Sequence, residues 1–360
     1  MGSPKIAILG AGIFVRTEYI PRLSEISQLF SLKAIWSRTE ESAKGAVEIA
    51  KEFFPEVECK WGDDGLDDVI EDSSIDAVLV VLAAQFQVDL SLRILKSGKH
   101  VLQEKPAAAS ITKVETALSS YNSLTSTGLP SKPIWAVAEN YRFEPAFLEG
   151  KKLMGDIGEM VNFQIIVEVP MNSSSPYFSS SWRHSFAGGY ILDMGVHFIA
   201  ALRMMAGCEI TSVSAMTSNV DTTLPPPDSM SSLIQLENGR SGVLVTVVSA
   251  KTLKLFWRVV GLNGTFQIDV ESREGKFGYL VTLFTADGQT KSNFYPGFSG
   301  VTEELKIFFS DVTQASLKKE SIFEAEARMS FIEGARDLAV MDAMLESGNK
   351  QGALVHVKKF

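Results

Sequence analysis

Near-continuous apolar runs alternate with longer segments of mixed polarity through the first 140 positions. Residues 5–9, 32–36, 75–82, 100–103 and 134–138 form such runs, which suits strands buried on both faces. Residues 42–53, 86–96 and 112–124 carry apolar positions at helical spacing. A further helical pattern runs from the glycines at 10–12 to about Leu29, with Pro21 marking a kink or an early stop. Gly98 falls where the helix at 86–96 needs its C-cap. Strand–helix alternation of this kind predicts a parallel sheet covered on both faces.

Beyond about residue 150 the period changes. Strand-like runs occur at 160–169, 210–220, 232–236, 242–249, 255–260, 266–270 and 279–285. Asn238-Gly239, Asn263-Gly264 and Asp287-Gly288 fall between them, and such pairs favour the positive φ that short hairpins need. The second half therefore reads as an α+β domain with a large, mainly antiparallel open sheet, closed by helices at 303–316 and 325–345. Residues 172–181, rich in serine, and 222–228, with three consecutive prolines, read as loops. The expected division is 1–140 and 141–360, with the C-terminal helices able to pack back on the first domain.

A length of 360 residues exceeds one ordinary core, which supports two domains. The net charge of −9 would repel nucleic acid and anionic membranes, so neither is expected as a partner. Two distant cysteines, Cys59 and Cys208, make no disulfide framework and no zinc spacing; buried free thiols are expected. The chain enters a strand at once and contains no long apolar stretch, so a cytosolic protein is expected.

Gly10-Ala11-Gly12-Ile13-Phe14-Val15 follows a strand and opens a helix. The first glycine makes a tight turn, and the second lets backbone approach a pyrophosphate. The helix N-terminus supplies N–H groups and a positive dipole. The motif thus points to an α/β Rossmann domain binding a dinucleotide through Gly10, Gly12, Ile13 and Phe14. Val15 departs from the Gly or Ala expected at the sixth position, and its branched side chain should hold helix and strand slightly apart. At the end of the second strand an NAD site offers a carboxylate to the ribose 2′-hydroxyl. Here Ser37, Arg38 and Thr39 stand there, with no carboxylate before Glu40. They suit a 2′-phosphate, so NADP is preferred over NAD.

Two more clusters carry chemistry. The strand at 100–103 ends in Glu104-Lys105-Pro106, and Trp182-Arg183 leads into Gly188-Gly189-Tyr190-Ile191-Leu192-Asp193-Met194-Gly195-Val196-His197. Asp193 and His197 are four apart and share a face of any helix containing them. In this order the motifs resemble the family that includes glucose–fructose oxidoreductase and inositol dehydrogenase.

The resemblance implies a catalytic lysine at Lys105, an acidic partner at Asp193 and a proton-transferring histidine at His197. It also places Asn140 near the nicotinamide end and Trp182 and Arg183 by the cofactor cleft. Ala83, Gln85 and Glu104 join the implied cofactor contacts. Where the family often reads Pro-Asn…His after the fourth strand, this chain has Ala83, Ala84 and Gln87, so a nicotinamide contact through that histidine is not expected.

The implied activity is hydride transfer between NADP and a sugar, polyol or related aldehyde or ketone, by a homodimer or higher homo-oligomer. The alternative is a cofactor-binding regulator without turnover, similar to the fungal galactose-pathway repressor. No metal is expected, because His184, Asp193 and His197 lack ligand spacing. His100 and His356 read as structural.

Overall fold

The computed structural model describes residues 3–124, 132–317 and 323–360. The apolar N-terminal run forms β1 (Lys5–Leu9), and the helical pattern after it ends in α1 (Ile20–Glu25). Next come β2 (Ser31–Ser37), α2 (Glu40–Ala50), β3 (Glu58–Trp61) and α3 (Gly62–Glu71). Then follow β4 (Ala77–Val80), α4 (Ala84–Lys96), β5 (His100–Glu104), α5 (Ile111–Ser123) and β6 (Trp135–Ala138). The sheet order is β3-β2-β1-β4-β5-β6, with every pair parallel. Strand order reverses between β1 and β4, and a crevice opens at the carboxyl ends there.

The expected helix before Leu29 is broken in three. A π-turn, Val15–Tyr19, precedes α1, and a 3₁₀ turn, Ser27–Leu29, follows it. Pro21 has no N–H to return to the carbonyl four residues earlier, so the turn before it widens, and Ile20 N–H reaches back to the Val15 carbonyl. Val15 itself is fully buried.

The chain continues with α6 (Pro145–Ile157), β7 (Met160–Pro170), the short α7 (Ser181–His184) and α8 (Gly189–Ala206). Strands β8 (Ile210–Ser218), β9 (Ser229–Leu236), β10 (Ser241–Val247) and β11 (Ser249–Gly261) follow. After them come β12 (Gly264–Arg273), β13 (Lys276–Thr285), β14 (Thr290–Pro296), α9 (Ser299–Leu317), α10 (Phe331–Asn349) and β15 (Val355–His356). The second sheet runs β14-β13-β12-β11-β7-β10-β9-β8-β15 and is antiparallel except for the β7–β10 pair. Phe163, Ile165, Trp257, Phe266 and Ile268 are buried on the side where α6 and α8 pack. The chain divides into two compact units, 1–139 with 301–335, and 140–300 with 336–360. Phe309 of α9 lies 4.7 Å from Phe30, and Phe331 stacks at 3.9 Å on Trp135, both within the first unit.

Gly239 and Gly288 take the expected positive φ, but neither Asn263 nor Gly264 does. Leu262 and Asn263 make that turn, while Gly264 already belongs to β12. The two-residue turn with both φ positive is instead Glu274-Gly275, between the paired residues Arg273 and Lys276. Cys59 and Cys208 are free, as expected, yet each is only half-buried.

His100 accepts a hydrogen bond at Nδ1 from the Ile134 N–H, 2.9 Å away. Burial pushes its pKa from 6.5 down to about 4. Between those values the unfolded chain takes up a proton that the native imidazole refuses, so stability falls as pH drops. The loss is about 3 kcal/mol in full. His100→Gln should flatten this part of the acid limb in denaturant titrations followed against pH. An unchanged limb would contradict the assignment.

Candidate active site

The first unit builds a nucleotide cradle at the carboxyl edge of its sheet. Gly10 directly follows β1 with φ 130°, and its N–H donates to the Trp36 carbonyl at 2.9 Å. A Cβ at Gly10 would lie 2.1 Å from the Val81 carbonyl oxygen, so only glycine lets the turn pass the end of β4. Gly12 differs, because a Cβ there would meet no described atom within 4 Å. Its backbone faces open space at a helix start, which is the room a pyrophosphate needs. Arg16 braces the turn from behind, donating from Nε to the Ala11 carbonyl and from Nη2 to the Ser42 carbonyl, each at 3.0 Å. Ile13 is exposed and Phe14 half-buried at the turn's edge.

Beyond the turn lies a cavity of 530 Å³ lined by Trp36, Arg38, Asp63, Leu82, Ala83 and Phe86, among others. The Arg38 guanidinium stands 5.8 Å from the centre of the Phe86 ring. An apolar slot with a cation at its mouth fits an adenosine phosphate, so the residues present fit a dinucleotide. Ser37 is half-buried beside this slot. Thr39 Oγ1 caps α2 by accepting the Ser42 N–H at 3.4 Å. Ala83 and Gln85 sit at the N-terminal end of α4.

Lys105 follows β5 directly and is half-buried. The preceding Glu104 is buried and accepts a 2.7 Å hydrogen bond from the Tyr19 hydroxyl. Burial pushes that phenol well above its ordinary pKa, with Glu104 and Glu304 adding to the rise, so Tyr19 remains a proton donor. Gln87, at the position where the family often carries histidine, is buried. Its Nε2 donates to the Leu82 carbonyl at 3.0 Å, and its Oε1 accepts from Gln103 Nε2 at 3.2 Å. Gln103 donates to the Ala107 carbonyl at 2.8 Å and accepts from Trp135 Nε1 at 2.8 Å. This chain of amides ties the loop after β4 to the loop after β5.

In the second unit Asp193 and His197 lie one turn apart on α8. Asp193 is buried, and its Oδ2 accepts from Arg183 Nε at 2.8 Å. Arg183 also donates to Ser180 Oγ at 3.0 Å and lies 4.2 Å over Trp182 and 5.2 Å over Tyr177. Tyr190 fastens the serine-rich loop, donating to the carbonyls of Tyr177 and Phe178 at 3.0 and 2.8 Å. His197 is half-buried and stacks on Tyr141 with centroids 4.7 Å apart and planes 20° apart. Asn140 and Tyr141 belong to the 3₁₀ turn Asn140–Arg142.

Thus Trp182, Arg183 and Asp193 form one contact group, and Asn140 adjoins the residue stacked on His197. Lys105 and the glycine-turn residues belong to the first unit. Gln87 stands out in the sequence as a departure from the family pattern, whereas Tyr19 and Tyr141 carry no such signal, because a buried hydrogen-bond partner and a ring stack leave no spacing.

A doubly wound sheet with a glycine turn at its switch point defines a dinucleotide-binding protein. Residues 4–126 match the model described as an oxidoreductase family with an NAD-binding Rossmann fold, and residues 153–267 match the GFO/IDH/MocA C-terminal domain. The chain belongs to the GFO/IDH/MocA family of NAD(P)-binding oxidoreductases. It is 29% identical over 371 residues to the dehydrogenase FPY6 of Fusarium mangiferae, covering 98% of this chain and 99% of that one. It is 27% identical to the NADP(+)-dependent scyllo-inositol 2-dehydrogenase IolW of Bacillus subtilis, over 60% of this chain and 54% of that one. A solved oxidoreductase structure from Thermotoga maritima superposes with a TM-score of 0.79 at 25% identity, covering 98% of both chains.

Proposed function

We propose that this protein is an NADP-dependent dehydrogenase or reductase acting on a sugar, a polyol or a related aldehyde or ketone. The observation that carries this reading is Lys105, a cation held at the carboxyl edge of the sheet that bears the open glycine turn, directly after a glutamate pinned by Tyr19. A module that only bound the nucleotide would have no need of an ammonium there. The relatives named above are called dehydrogenases and oxidoreductases, which favours the catalyst over the regulator.

The division of labour follows from charge. When bound, the nicotinamide supplies the hydride acceptor or donor. A hydroxyl carbon gives up hydride only as its oxygen loses a proton, and His197 takes that proton. The Lys105 ammonium stabilises the alkoxide as it develops, and in the reverse direction polarises the carbonyl. Asp193, held by Arg183, orients a neighbouring substrate hydroxyl. Gly10, Gly12, Ile13 and Phe14 hold the pyrophosphate, and Ser37 and Arg38 hold the 2′-phosphate. Ala83 and Gln85 flank the cofactor, as do Asn140, Trp182 and Arg183. Thr39 contributes through its backbone, since its hydroxyl caps α2.

Lys105→Ala and His197→Ala should each keep NADPH affinity, read by fluorescence titration, and lose about 100-fold or more in turnover. Full activity in both would refute the assignment. Arg38→Ala should weaken NADPH about tenfold to 100-fold while changing NADH affinity little, since one charge-assisted contact is removed. An equal effect on both cofactors would remove the NADP preference.

A further inference from the structure

Among the described residues of the second unit, the rings around His197 are layered in a way that a catalytic histidine would use. Tyr141 lies between two flat partners. Its ring stacks on Phe147 at 4.8 Å and 22°, and on the His197 imidazole at 4.7 Å and 20°. Phe198 packs with it edge to face at 6.0 Å, and Trp257 lies tilted to it at 6.3 Å. Phe147 is fully buried and Trp257 nearly so, which leaves the Tyr141 ring one orientation in which it fits. The Tyr279 hydroxyl donates to the Tyr141 hydroxyl at 3.3 Å and fixes the outer end of the ring.

The backbone beneath the ring is clamped as firmly. Arg142, the next residue, donates from Nη2 to Asp337 Oδ2 at 2.5 Å. The other oxygen of the same carboxylate accepts from Arg203 Nη1 at 2.7 Å. Arg203 lies on α8, six positions beyond His197, and is itself gripped by Glu209 through two bonds of 2.7 and 2.8 Å. Arg142, Arg203 and Asp337 are all buried. One carboxylate on α10 therefore fixes the spacing between the turn carrying Tyr141 and the helix carrying His197.

We propose that Tyr141 is a positioning residue for His197: its ring sets the plane of the imidazole, and the Arg142–Asp337–Arg203 clamp holds the ring in place. This rests on the reading of His197 as the proton-transferring group. Imidazole transfers a proton along the direction of its ring nitrogen, so a fixed plane keeps that nitrogen aimed at the substrate oxygen. A stacked aromatic pair is worth about 0.5–1.5 kcal/mol beyond the area it buries, which shifts a rotamer population by about twofold to twelvefold. Tyr141 would thus act on turnover without touching the reacting atoms.

The chain has four histidines, so labelling them with ¹³C gives four sets of ring signals, and the His197→Ala variant assigns one. The face of the Tyr141 ring should move the His197 ring protons upfield. Tyr141→Leu should abolish that shift. It should also lower kcat about tenfold on the fastest compound of a sugar and polyol panel, while NADPH affinity stays unchanged. Tyr141→Phe, which keeps the ring, should restore both the shift and kcat. Should the leucine variant be too unstable to measure, Tyr141→Met fills similar space without a ring and is read the same way. The proposal is overturned if the shift survives ring removal, or if kcat is unchanged while His197→Ala is inactive. An active His197→Ala would instead overturn the acid–base reading, and the stack would then be structural only.

Discussion

A carboxylate buried from water and shared by two guanidinium groups underlies the arrangement of the second unit. Asp337 takes one bond from Arg142 and one from Arg203, and Glu209 closes the other side of Arg203. Removing one member of such a set leaves a charge stranded in low dielectric, at a cost of about 3–5 kcal/mol. The set therefore favours one arrangement of the turn Asn140–Arg142, α8 and α10 over all near alternatives. The hydrogen bond from Arg203 holds the Glu209 carboxyl below its usual range, so this charge distribution persists to mildly acidic pH. Asn140, Tyr141, Asp193 and His197 lie on the elements so fixed.

The first unit solves a different problem. Its sheet is hydrophobic on both faces, and its chemistry gathers at one edge, where strand order reverses. Gly10 permits the closest backbone approach in that edge, and Arg16 and the Gln87–Gln103 amides hold the loops around it. The glycine turn and Lys105 thus share one edge, with Lys105 one residue beyond a glutamate that cannot move without breaking a buried phenol bond.

Much of this was legible in the chain. The buried strands of the parallel sheet announced themselves because neither face needs polar residues, and the glycine turn and the Lys105, Asp193 and His197 positions came from short motifs. The failures have physical causes. Strand β3 is a four-residue edge strand with no buried side chain, and α3 is acidic with glycine in its first turn. The strand has no buried position to read, and the helix shows only the short Leu66, Val69, Ile70 spacing among acidic residues. The π-turn at Val15–Tyr19 is a consequence of Pro21, visible only once the missing N–H is traced. The turn at Glu274-Gly275 escaped because glutamate rarely takes positive φ, whereas Asn263-Gly264 carried the favoured residues without the conformation. The capping of α2 by the Thr39 hydroxyl oxygen was not legible from the strand-end motif, since it depends on where the helix begins. Tyr141 could not have been chosen from sequence, since its role depends on which rings the tertiary fold lays on either side of it.

The central claim is that the cradle serves a reaction. The most direct measurement follows nicotinamide absorbance while the purified protein meets a panel of sugars, polyols, aldehydes and ketones with NADPH, NADP⁺, NADH or NAD⁺. At least one hydroxyl or carbonyl compound should turn over, faster with the phosphorylated cofactor. Tight NADPH binding with no turnover across the panel would contradict it and return the protein to the class of cofactor-binding regulators.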